Sequence, residues 1–121
     1  MSSNLDLSQQ LELVTEVLEQ TRGGKLTWDR GLLDNSYVGA TRRAAAVLDQ
    51  SGPPRDRRVR LRFSQPGSLD FTDTIEQTFG TLYEEERVDA QLALLWQIVT
   101  ARLAPPESDA QRFYEDLRGE T

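Results

Sequence analysis

Residues 58–63 read RVRLRF, three arginines alternating with Val59, Leu61 and Phe63. Successive side chains of a β-strand point to opposite faces, so this spelling puts Arg58, Arg60 and Arg62 on one side and the apolar residues on the other. A strand over 57–63 is the expectation, its apolar side toward a core. Gln65-Pro66-Gly67-Ser68 follows, a compact reversal made of turn formers. It leads into a second extended stretch, 69–77, and the pair has the form of an antiparallel hairpin. That second strand places Leu69, Phe71, Asp73 and Ile75 on one face and Asp70, Thr72, Thr74 and Glu76 on the other. Asp73 interrupts the apolar side, so it either lies beyond the packed region or marks a polar feature, because a buried unpaired carboxylate is costly.

Upstream of the hairpin, Ser51-Gly52-Pro53-Pro54 is a loop, since proline removes a backbone donor and restricts the residue before it. Residues 36–50, SYVGATRRAAAVLDQ, read two ways. Ala40, Ala44, Val47 and Leu48 make a helical stripe and the alanines favour a helix. Tyr37 and Val38 favour a strand, Gly39 weakens a helix interior, and Thr41-Arg42-Arg43 separates two short extended runs. The neighbouring segments read as strands and need partners for their backbone groups, which tips the balance toward a strand pair. A short strand over 25–28 carries Leu26 and Trp28 on one face, and 31–35 reverses the chain.

Helices bracket this region. Asp6 with Gln9 spells a capping box, and Leu7, Leu11, Val14 and Leu18 recur at helical spacing, predicting a helix over 7–21 that Gly23-Gly24 ends. Val88, Leu92, Leu95 and Val99 form a second stripe, widened by Trp96 and Leu103, in a helix expected over 85–103. Glu84, Glu85 and Glu86 suit the positive end of its dipole. Ala104-Pro105-Pro106 stops it, and Ser108 with Gln111 offers a capping box for a short terminal helix whose Ala110, Phe113 and Leu117 dock on one side.

The chain of 121 residues is long enough for one core and short for two. The expected fold is therefore a single α+β domain over 1–121: a small antiparallel sheet packed against an N-terminal helix and a long C-terminal helix, with a short terminal helix and flexible ends at 1–5 and 118–121.

Charge is unevenly spread. The formal net charge is −6, yet ten of the fourteen basic residues fall within 22–62, where the balance is +6, against −4 before and −8 after. Arginine outnumbers lysine thirteen to one, and a GC-rich coding genome is the simplest cause of that bias. It does not explain the clustering. Cysteine and histidine are both absent, which removes disulfides, thiolate nucleophiles, zinc-finger ligation and imidazole chemistry by this chain alone. No glycine-rich phosphate loop, calcium-loop spacing or nucleophile elbow is spelled. Neither a signal peptide nor a membrane span is supported, so a soluble cytoplasmic protein is expected.

These observations favour a non-enzymatic protein-interaction or regulatory module without cofactor or metal. Its expected contact is Arg55, Arg57, Arg58, Arg60 and Arg62, or the apolar residues Leu94 and Ile98 on a further side of the long helix, where a homo-oligomer contact is also expected. Guanidinium groups make forked contacts to carboxylates and stay charged. The plainer role for the same arginines is pairing with the chain's own acids on a solvated strand face. One rival is nucleic-acid binding through the Arg stripe helped by Arg42 and Arg43, which the net acidity disfavours. Another is a carboxylate-based enzyme around Asp70, Asp73 and Glu76, which no base–nucleophile pattern supports.

Overall fold

The computed structural model describes residues 5–31, 35–68, 70–103 and 109–119. The chain runs α1 (Leu7–Arg22), β1 (Trp28–Arg30), β2 (Tyr37–Ala40), β3 (Ala45–Ser51), β4 (Arg58–Ser64), β5 (Asp73–Glu76), α2 (Tyr83–Arg102) and α3 (Asp109–Gly119). The five strands form one antiparallel meander in the order β1-β2-β3-β4-β5, so each strand pairs with its sequence neighbours. This is the expected α+β architecture: N-terminal helix, antiparallel sheet, long helix and short terminal helix. No helix among the described residues is long and apolar enough to cross a membrane.

The alternation in RVRLRF decides which side of the sheet is dry. Leu61 sits between Leu48 of β3 and Ile75 of β5, and all three are fully buried. Against them pack Val14, Val17 and Leu18 of α1 and Val88, Leu92, Leu95 and Val99 of α2. Each buried aliphatic side chain contributes about 1.5–3 kcal/mol, so this cluster is the main source of stability. The other sheet face carries Arg58, Arg60 and Arg62 with Val47, Asp49, Thr74 and Glu76 as their neighbours.

Residues 36–50 form β2 and β3, joined through a turn in which Thr41 donates its amide to Ala44. Gly39 lies where an added β-carbon would sit 3.1 Å from the Trp28 indole, so the strand gives up a side chain to seat that ring. The Pro66-Gly67 reversal closes with Ser68 donating to the Gln65 carbonyl at 3.0 Å, and Gly67 has φ 78°, the sign a type II turn requires at that position.

Three boundaries differ from the sequence reading. The first strand begins at Trp28 and not at Lys25, because the amides of Lys25 and Leu26 both donate back to Gln20 and complete the end of α1. β5 is limited to 73–76, and a bend at Thr72 breaks the alternation expected over 69–77. Phe71 consequently stacks on Arg62, on the face opposite Ile75, while Asp73 is half-buried and receives the Thr72 hydroxyl. Leu69 and the Ser108 cap lie outside the described residues. The long helix begins at Tyr83, two residues before the predicted start, with Leu82 at its N-cap. Phe113 and Leu117, expected to dock, are instead 65% and 68% exposed. Residues 118 and 119 belong to α3, and Leu5 accepts from the Gln10 side chain.

One polar knot ties the helices to the sheet edge. The fully buried Thr21 donates its hydroxyl to Val17 and accepts the Trp28 indole N–H at 3.0 Å, while Arg102 donates to the Thr21 carbonyl at 2.7 Å. Arg30 likewise donates to the Leu103 carbonyl. The end of α1, the start of β1 and the end of α2 are thus held together with their polar groups satisfied, as burial demands.

Candidate functional site

Of the five arginines singled out in the sequence, Arg58, Arg60 and Arg62 stand on the open sheet face and two are committed to one acid. Asp49, directly opposite Arg60 on β3, accepts from Arg60 Nε at 2.6 Å and Nη2 at 3.2 Å. It also accepts from Arg62 Nη2 at 2.8 Å, and its side chain is only 9% exposed. The hydrogen bond to Asp49 raises the Arg60 guanidinium above its already high pKa, with burial opposing and the charges of Asp49 and Glu76 assisting. Arg60 is therefore charged throughout any ordinary pH range. Arg62 also lies 4.1 Å from the Phe71 ring centroid, a cation–π contact. Glu76, across from Arg60, accepts the Ser51 hydroxyl.

The sequence reading missed Asp49 as the hub of this face. Its role depends on residues 36–50 being strands in one register, which a helix–strand ambiguity conceals.

Arg55 and Arg57 are exposed in the loop between β3 and β4, and Arg58 follows them with weaker ties: 3.5 Å to Asp56 and 3.4 Å to the Gln77 carbonyl. Arg42 and Arg43 are exposed at the other end of β3, so the fold does not add them to this group. Leu94 and Ile98 are half-buried against the core. Asp70, Asp73 and Glu76 do not converge: Asp70 precedes β5, Asp73 opens it and Glu76 closes it on the arginine face. Among the described residues no group of three potential metal-ligating side chains is brought together.

A different feature emerges beside Arg58. Between β5 and α2 the chain turns a tight corner that leaves Phe79, Leu82 and Tyr83 52–69% exposed. The corner is held rigidly. Asp89, one turn and a half into α2, accepts the amides of Thr78 at 3.0 Å and Phe79 at 2.8 Å. Gln77 donates to the Asp89 carbonyl and accepts the Val59 amide, extending the β4–β5 pairing into the turn. Glu85 accepts the Leu82 amide at 3.2 Å, which starts the helix.

Phe79 has φ 54°, a left-handed conformation that non-glycine residues adopt at a cost of about 1–3 kcal/mol. Two arginines frame the corner. The Arg58 guanidinium is 4.9 Å from the Phe79 ring centroid, and Arg87 donates to the Tyr83 hydroxyl at 2.9 Å. The sequence shows Phe79, Leu82 and Tyr83 as apolar residues ahead of a helix but not their exposure, because the turn that lifts them is made by Asp89.

Replacing Asp89 with alanine removes both amide acceptors from the strained turn. The expected loss is about 1–2 kcal/mol, read by urea denaturation. Faster amide exchange at Thr78 and Phe79 should accompany it, and unchanged protection there would show that the carboxylate does not hold the corner.

Fold and surface together define an α+β domain with one solvated sheet face and a clamped apolar corner. Comparison with protein-family models, curated proteins and solved structures finds no match.

Proposed function

We propose that this chain is a non-enzymatic protein-interaction module and that its contact surface centres on Phe79, Leu82 and Tyr83, flanked by Arg58 and Arg87. The observation carrying this reading is the combination of exposure and rigidity: three large apolar side chains stand in water on a backbone clamped by Asp89 and Glu85. Aromatic residues with neighbouring arginines are the usual centre of a protein interface, and a rigid presentation lowers the ordering cost of binding. Keeping Phe79 in a strained conformation to hold an apolar side chain outward has no benefit for the core.

Two of the five arginines take the plainer role expected of them, pairing with an acid of the same chain. Arg60 and Arg62 are occupied by Asp49, so Arg55, Arg57 and Arg58 are the cations left to steer an acidic partner toward the corner. Exposed rim charges act more on association rate than on final affinity.

The test is affinity capture from the cells that produce the protein, comparing wild type with Leu82→Asp and with Arg55→Glu/Arg57→Glu. Leu82→Asp should abolish recovery of a specific partner, and the arginine pair should slow its association, more so at low salt. Full recovery by folded Leu82→Asp would sink the corner as the contact.

A further inference from the structure

We draw no further inference here: the strongest candidate, the exposed apolar surface that Phe113, Tyr114 and Leu117 form on α3, carries nothing because nothing in the structure shows what covers it.

Discussion

Asp49→Ala should destabilise the domain by about 3 kcal/mol, a fall in melting temperature of about 10 °C for a domain of this size. Asp49 is the only acid hydrogen-bonded to Arg60 and Arg62 among the described residues, and both cations are partly withdrawn from water. Removing the carboxylate leaves two like charges on adjacent positions of one strand face with their hydrogen-bond acceptor gone. The Arg62 Nε is already buried without a hydrogen-bond partner among the described residues, so Arg62 has little to fall back on.

The loss exceeds that of an ordinary surface ion pair, typically about 0–1 kcal/mol, because Asp49 is nearly enclosed. A companion variant isolates the cause. Changing Arg60 and Arg62 to methionine along with Asp49→Leu removes the stranded charges and should recover most of the stability. Urea denaturation with an unchanged slope is the appropriate measurement. A loss below about 1 kcal/mol for Asp49→Ala would mean that water serves the arginines as well as the carboxylate does.

Leu61→Ala should cost about 3–4 kcal/mol, the range of fully buried leucine truncations whose surroundings cannot collapse. Leu61 is on β4, with a strand on either side and α2 against the same strand, so no loop is available to relax into the space. Its neighbours Leu48 and Ile75 are themselves fully buried and held by register. Leu94→Ala, at a half-buried position, should cost about 1 kcal/mol, since less surface returns to water. Equal costs for the two would contradict the assignment of Leu61 to the centre of the core and of Leu94 to its margin.

The elements whose side chains repeat with a regular period were readable without coordinates. Val88, Leu92, Leu95 and Val99 face the core because helical spacing leaves them no other common direction. The Asp6–Gln9 box is present as spelled, with Gln9 donating its amide to Asp6 at 2.8 Å. Residues 36–50 were settled toward strands by the need of neighbouring backbone for partners, and the structure shows that pairing. The alternation over 69–77 failed at Thr72, where the chain bends and turns Phe71 onto Arg62. Nothing in the local spelling marks that bend, because its reward is a contact with another strand.

By itself the sequence determined the class of fold, the dry and wet sides of β4 and the stripes of both long helices, since periodicity is a property of neighbouring residues. Only the tertiary structure decided what the arginines do and where apolar surface is left over. Asp49 meets Arg60 and Arg62 across a strand pairing, and Asp89 reaches back from α2 to lift Phe79 into solvent. Such contacts depend on register and on the path of a turn, and charge counted along a chain carries neither.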